Sequence, residues 1–248
     1  MRIVEEKGGV GMKRWLIICI FFISSLGVVL YGVKASDKNI FMPEQLGDVK
    51  IVIDPGHGGL DGGASVGDIV ERDITLSISH ELAILLKKKG ATVVMTREKE
   101  GDALAEHAPN ESFGTTRERK FADLKLRESI AAEENPDMFI SVHVNAIPGD
   151  KWRGSQVFYH EQGHPDGEFL AKTIQESFRT NLKNTDRVAM KIKGVYLLKN
   201  VQSPAVLVET GFISNPEERA LLTDPNYHKK VAQAIVDGVI EFNSTEER

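Results

Sequence analysis

The sequence has one cysteine, no excess of basic charge, no internal repeat and a single long apolar run, and each scarcity excludes something. Cys19 lies inside that apolar run, so the rest of the chain has no thiol and builds neither a disulfide nor a cysteine-ligated metal centre. Any metal site must draw on His, Asp and Glu. Over 248 residues, 31 Lys and Arg stand against 36 Asp and Glu, a net charge of −5. Residues 1–35 hold five basic and two acidic side chains, which leaves 26 against 34 in the remainder, a net of −8. A field of that sign disfavours nucleic acid as a partner. The proportions present, 41% hydrophobic and 27% charged, are those of an ordinary globular protein, neither disordered nor a multi-span membrane chain. About 200 residues suffice to bury one core without staples.

The apolar run, Trp15 to Val33, is 19 residues long, follows Lys13-Arg14 and ends before Lys34-Ala35-Ser36. It reads as an export element over residues 1–35. Its length suffices for an uncleaved membrane anchor, and Val33-Lys34-Ala35 resembles the small-residue pattern before a signal-peptidase cut. Either way the basic residues stay inside and the globular part lies outside the cytoplasmic membrane, on its outer face or secreted to the wall. Ile17 and Ile18 before Cys19 exclude a lipoprotein signal. Residues 36–48 are a polar linker, and residues 49–244 form one domain.

Within that domain short β-branched runs alternate with amphipathic stretches, the signature of an α/β fold. Strands are expected at Lys50–Asp54, Ala91–Thr96, Met138–His143, Ser155–His160, Gly194–Leu198 and Ala205–Glu209. A helix is expected over Glu71–Lys89, with Ile74, Ile78, Leu82 and Leu85 at helical spacing, lysines in its last turn and Gly90 beyond. Others are expected over Asp123–Glu134, from Asp166 through Leu182, and over Tyr227–Phe242. Arg97 to Phe121 is long, polar and without periodicity, the profile of a functional loop or a tolerated insertion.

In open α/β sheets ligands bind beyond the carboxyl ends of strands, so the residues that follow each apolar run carry the chemistry. Ile51-Val52-Ile53 leads to Asp54-Pro55-Gly56-His57-Gly58-Gly59, Phe139-Ile140-Ser141-Val142 leads to His143, and Val206-Leu207-Val208 leads to Glu209. Glycines on both sides of His57 let the backbone turn sharply at the sheet rim. Glu71 opens the helix that returns from that loop. Two histidines and one carboxylate are the His₂Glu set of catalytic zinc sites, which leave one position for water. Each residue also has a plain structural role open to it: a hydrogen-bonded rim histidine, or a favourable charge at a helix N-terminus for Glu71. Glu209, after four apolar residues, is costly to bury unless paired. His80, His107, His164 and His228 are expected to serve structure, with His160 a reserve ligand.

Four stretches carry a resemblance. Ile51 through Gly59, Glu71 with its helix, Ser141-Val142-His143-Val144-Asn145-Ala146, and Val208-Glu209-Thr210-Gly211-Phe212-Ile213-Ser214-Asn215 resemble, in order, the zinc-dependent N-acetylmuramoyl-L-alanine amidases of type 3. The similarity runs from about Lys50 to Phe242. Asn145-Ala146-Ile147-Pro148 with Lys151-Trp152, the Arg97–Phe121 insertion and Gly194–Leu198 also resemble the germination-specific amidases of endospore-forming bacteria. The resemblance implies a central, mostly parallel sheet of about six strands with helices on both faces. It also implies hydrolysis of the amide between N-acetylmuramic acid and L-alanine in peptidoglycan, one Zn²⁺ per domain held by His57, Glu71 and His143, and Glu209 as general acid and base. In the spore subgroup it implies a role in the cortex: a separate peptidoglycan N-deacetylase completes muramic δ-lactam, which makes that enzyme a functional partner.

Asn145, Trp152 and Arg153, next to the His143 motif, are candidate substrate contacts, whereas Arg127 reads as a structural partner of an acidic neighbour. Two alternatives stand beside this reading. A zinc peptidase or carboxypeptidase acting on wall peptides would use the same ligands, though no arginine identifies itself as a partner for a terminal carboxylate. A catalytically latent wall-binding protein that needs a partner is the other, and the presence of all four site residues argues against it.

Overall fold

The computed structural model describes residues 45–245, so the expected export element over 1–35 and most of the expected 36–48 linker lie outside the described residues. The expected α/β architecture is present. Strand β1 (Lys50–Pro55) is followed by a two-residue hairpin, β2 (Ser65–Val66) and β3 (Ile69–Val70), and by helix α1 (Glu71–Lys88). Then come β4 (Thr92–Met95), α2 (Ala103–His107), α3 (Thr116–Glu134) and β5 (Met138–Asn145). After β6 (Gln156–His160), α4 (Gly167–Ser177) runs into a π-helical turn (Phe178–Leu182), followed by β7 (Met190–Ile192) and α5 (Tyr196–Asn200). Strand β8 (Ala205–Phe212), α6 (Pro216–Leu222) and α7 (Pro225–Ser244) complete the domain.

The sheet has six strands in the order β4-β1-β5-β8-β6-β7. The first four run parallel, β6 lies antiparallel to β8, and β7 runs parallel to β6. From β1 the chain goes to one side for β4 and to the other for β5, so the strand order reverses between β1 and β5. That switch point opens a crevice at the carboxyl ends of these two strands.

Side-chain alternation along each strand divides the sheet into unlike faces. Ile51, Ile53, Ile140, Val142, Val206 and Val208 face a large apolar core built with α1, α4 and α7. Val52, Phe139 and Leu207 face a smaller cluster with Ala131 of α3 and Leu197 and Leu198 of α5. Further along the smaller face, the same alternation places Asp54, Ser141, His143 and Glu209.

Two expectations are corrected. Gly194–Leu198 is no strand: Val195 is extended, and the helix α5 that follows drives Leu197 and Leu198 into the smaller core. The edge strand is instead Met190–Ile192, which is largely exposed and carries little apolar signal. Arg97–Phe121 is not structureless either. It contains α2 and the start of α3, whose capping box pairs the Thr115 side chain with the Glu118 backbone and the Glu118 side chain with Thr115.

Candidate metal and catalytic site

His57, Glu71 and His143 come together at the switch point, with one ligand atom from each lying within 4.8 Å of the others. His57 Nε2 is 3.3 Å and His143 Nδ1 is 3.0 Å from Glu71 Oε1. The two imidazoles meet edge to face with centroids 5.0 Å apart. Glu71 is fixed by backbone: Val144 N–H donates to Oε1 at 3.0 Å and Ala64 N–H to Oε2 at 2.8 Å. Two imidazole nitrogens and one carboxylate oxygen converging from a strand, a loop and a helix start are a fitting donor set for zinc.

The ligand side chains themselves require two glycines. A Cβ on Gly56 would lie 2.4 Å from the His143 ring, and one on Gly63, at φ +69°, would lie 2.5 Å from Glu71 Oε2. His57 itself sits in the left-handed region at φ 63°, which costs a non-glycine residue on the order of 1 kcal/mol. Two buried arginines hold it there. Arg127 donates to the carbonyls of Pro55 (2.8 Å) and His57 (2.6 Å), and Arg97 to those of Pro55 (2.9 Å) and Gly56 (3.0 Å). Arg127 is in turn neutralised by Asp54 and Asp123, each at 2.7 Å. Asp54 accepts from Thr96, Ser141 and Arg127 as well. Burial pushes its carboxyl up, but Arg127 and these hydrogen bonds prevail and hold it below the usual range.

The charges of the three converging residues are strongly coupled. Burial alone would lower the His57 imidazole, but contacts with Asp61 and Glu71 raise it to about 9. Burial likewise opposes ionisation of Glu71, yet the two histidines keep its carboxyl well below the normal range. These are groups whose proton a metal cation would displace.

Glu209 lies directly across from His143 in the β5–β8 register. Its Oε2 is buried and has no hydrogen-bond partner. Burial raises its carboxyl to about 7, against the opposing pull of His143. An unpartnered carboxylate oxygen beside a cluster that could hold a cation is placed to take a proton from a third party. A cavity of about 300 Å³ adjoins the cluster, with His57 and His143 in its wall and Leu60, Thr116, Leu124 and Tyr196 around it.

The remaining candidates separate. Asn145 ends β5 on the same strand face as His143, and its carbonyl accepts from Ile213 N–H. Trp152 is partly exposed under the Lys151 ammonium, and Arg153 is exposed and paired with Glu217 at 3.3 Å. Neither lines the cavity beside the histidines. His80, His107 and His228 bond to backbone carbonyls of Glu98, Thr96 and Leu222, while His160 and His164 accept from nearby backbone N–H groups. The reserve ligand, His160, is not in the metal-competent group. Sequence reasoning overlooked Asp61, whose Oδ2 is 3.1 Å from His57 Nδ1, and Lys120, 2.7 Å from Asp61 Oδ1. The available signal was an acid four residues after a histidine in a glycine-rich loop.

Comparison with known proteins places these features. Residues 51–241 match the family model described as N-acetylmuramoyl-L-alanine amidase. The germination-specific N-acetylmuramoyl-L-alanine amidase of Bacillus subtilis is 40% identical over 229 residues, 92% of this chain and 94% of that protein. Among solved structures, the CwlD amidase of Clostridioides difficile, in complex with the GerS lipoprotein, superposes with a TM-score of 0.72 and 37% identity. That match covers 78% of this chain and 98% of the other. An N-acetylmuramoyl-L-alanine amidase from Clostridium difficile 630 gives a TM-score of 0.68 at 28% identity, over 80% of this chain and 98% of that one.

Proposed function

The chain belongs to the N-acetylmuramoyl-L-alanine amidase family and cuts the muramoyl–alanine amide of peptidoglycan, and from that premise we propose that it is a zinc enzyme of the spore cortex. The observation that carries the metal reading is the convergence of His57, Glu71 and His143 within 4.8 Å, with the unpartnered Glu209 Oε2 on the adjacent strand. When bound, zinc supplies a Lewis acid for the amide carbonyl and an acidified water. Glu71 and the two imidazoles would hold the ion, and backbone N–H groups and glycines fix those side chains in place. Glu209 takes a proton from the attacking water and delivers it to the alanine nitrogen as the C–N bond breaks, leaving a lactyl carboxylate and a free L-alanine amine. General acid–base catalysis of this kind contributes about 10²–10⁴-fold.

The cavity beside the histidines accepts a neutral, partly apolar part of the substrate. Its cations are already matched, Arg119 with Asp102, Lys120 with Asp61 and Arg127 with Asp54 and Asp123. That pairing supports an amidase over a carboxypeptidase, which needs a free cation for a terminal carboxylate. Asn145, Trp152 and Arg153 are proposed to contact the glycan or peptide further out. The enzyme works outside the cytoplasmic membrane, brought there by residues 1–35. Among the described residues no helix is long and apolar enough to cross a membrane. Its product, a peptide-free muramic acid, is the substrate a peptidoglycan N-deacetylase needs on the way to muramic δ-lactam, which makes that enzyme a functional partner.

The test is complementation in an endospore former lacking its own cortex amidase. Spores carrying this chain are expected to contain muramic δ-lactam by muropeptide mass spectrometry, and spores carrying Glu209→Gln are expected to lack it. δ-Lactam in both, or in neither, contradicts the reading.

A further inference from the structure

The residues around His57 extend beyond the ligand cluster to the surface of α3. His57 presents Nε2 to Glu71 Oε1 at 3.3 Å and Nδ1 to Asp61 Oδ2 at 3.1 Å. A ring held at both nitrogens has one orientation, and an Nδ1–H donated to a carboxylate leaves the Nε2 lone pair directed at the ligand cluster. Asp61 is itself fixed. It forms an isolated bridge with Gly58, Gly58 N–H to Asp61 O at 2.9 Å and the reverse at 3.0 Å, which folds the loop back on itself. Its other carboxylate oxygen accepts from Gly63 N–H at 3.3 Å and meets Lys120 Nζ at 2.7 Å.

Lys120 stands in the second turn of α3, the helix opened by the Thr115–Glu118 capping box. Its ammonium reaches the Asp61 side chain, whereas Arg127 of the same helix holds the His57 carbonyl. The neighbouring Arg119 pairs instead with Asp102, the residue that caps α2. His143, by contrast, lies within β5 and is paired opposite Glu209 of β8. The loop histidine, in a strained conformation at φ 63°, is the ligand whose aim depends on neighbours.

We propose that Asp61 and Lys120 are positioning residues for His57, a line of contacts Lys120–Asp61–His57 through which helix α3 sets the metal affinity of the site. The inference rests on the metal reading above. Neither residue is required as a ligand, and each acts through the next: Lys120 fixes the Asp61 carboxylate, Asp61 fixes the imidazole, and the imidazole offers one nitrogen to the ion. Because Lys120 is half exposed and also lines the cavity beside the histidines, anything that shifts α3 or draws this ammonium away loosens the site.

The experiment is zinc titration of the full-length, metal-stripped protein against a competing chromogenic chelator, with the melting temperature of each metal-free variant measured in parallel. Asp61→Ala is expected to weaken zinc binding about 10- to 100-fold. Lys120→Met is expected to weaken it about two- to five-fold, as loss of a partly exposed ion pair should, and less so at high salt. Lys120→Arg, which keeps a cation within reach of Asp61, is expected to restore the wild-type value. The metal-free melting temperatures of the two lysine variants should match wild type, which a merely structural role for Lys120 would not allow together with weakened zinc binding. Should Asp61→Ala not fold, the lysine pair carries the test. Zinc affinity unchanged in Lys120→Met, or unchanged in a folded Asp61→Ala, would overturn the inference. A wild-type chain that took up no zinc would overturn the metal reading itself.

Discussion

The two faces of the sheet are held together by different physics. On the face under α1, α4 and α7 the contacts are apolar and continuous, with Ile78, Leu82, Ile174, Ile235 and Phe242 fully buried. On the face under α3 and α5 the apolar cluster is small, and above it comes a layer of buried charge in which Arg97 and Arg127, both fully buried, hold the backbone of the His57 loop. Hydrophobic burial is non-directional and tolerates repacking, so the first face fixes the domain without specifying any one atom. Hydrogen-bonded charge is directional and costly to leave unmade, so the second face fixes the position of particular carbonyls and imidazoles. Stability comes mainly from one side and positioning from the other.

The contrast can be tested where its effect is largest. Glu209→Gln preserves shape and should keep the fold and bound zinc while kcat falls about 10²–10⁴-fold, whereas His57→Ala should lose the metal as well. Metal content by mass spectrometry and turnover on purified peptidoglycan check both. A Glu209→Gln variant keeping more than about a tenth of wild-type turnover would remove Glu209 from proton transfer.

Next in size is a matched pair across the two faces. Arg127→Met leaves Asp54 buried without its charge partner and should cost about 3–5 kcal/mol, while Ile235→Ala opens a cavity in the apolar face and should cost about 2–5 kcal/mol. Denaturant unfolding should place the two close together. Turnover per folded molecule should not: Ile235→Ala should retain it and Arg127→Met should lose it, because only the latter frees the His57 carbonyl. Equal turnover would erase the distinction between the faces.

The smallest effect is a pH dependence of the metal-free protein. Folded Glu209 holds its proton up to about pH 7, whereas an unperturbed glutamate releases it near 4.5. Between these values the folded state binds a proton that the unfolded state has lost, so the contribution is present in full below about 4.5 and is gone above about 7. Glu209→Gln removes that loss. Its melting temperature relative to wild type should rise by a few degrees from pH 4.5 to 8 and then level off. A difference that did not change with pH would mean that burial does not hold this proton.

How much of this was legible beforehand also divides by face. Strands β1, β5 and β8 announce themselves as β-branched runs, and α1 and α7 as helical apolar spacing, because the large core demands periodicity. The same runs point at His57, His143 and Glu209, since a parallel strand delivers its last residue to the carboxyl edge. Gly194–Leu198 was misread because a short apolar run cannot separate a buried strand from a buried helical turn by periodicity. The true edge strand, Met190–Ile192, buries too little to have a pattern. The start of α3, Thr116-Arg117-Glu118-Arg119-Lys120, looks like loop because its side chains reach charges instead of a core. The pairing of Arg127 with an acidic neighbour was legible and is met by Asp123 four residues before it, and Asp61 left a signal four residues after His57. Lys120 and the backbone contacts of Arg97 and Arg127 were not legible, since those partners are distant in sequence or are backbone carbonyls, which no composition records.

The measurement that bears most directly on the central claim is digestion of purified peptidoglycan by the full-length chain, with and without zinc chelation, and products read by mass spectrometry. The account predicts zinc-dependent release of peptides that begin with a free L-alanine amine, with muramic acid left in intact glycan. Cleavage that survives complete removal of zinc, or cleavage within the peptide while the muramoyl–alanine bond stays whole, would contradict it.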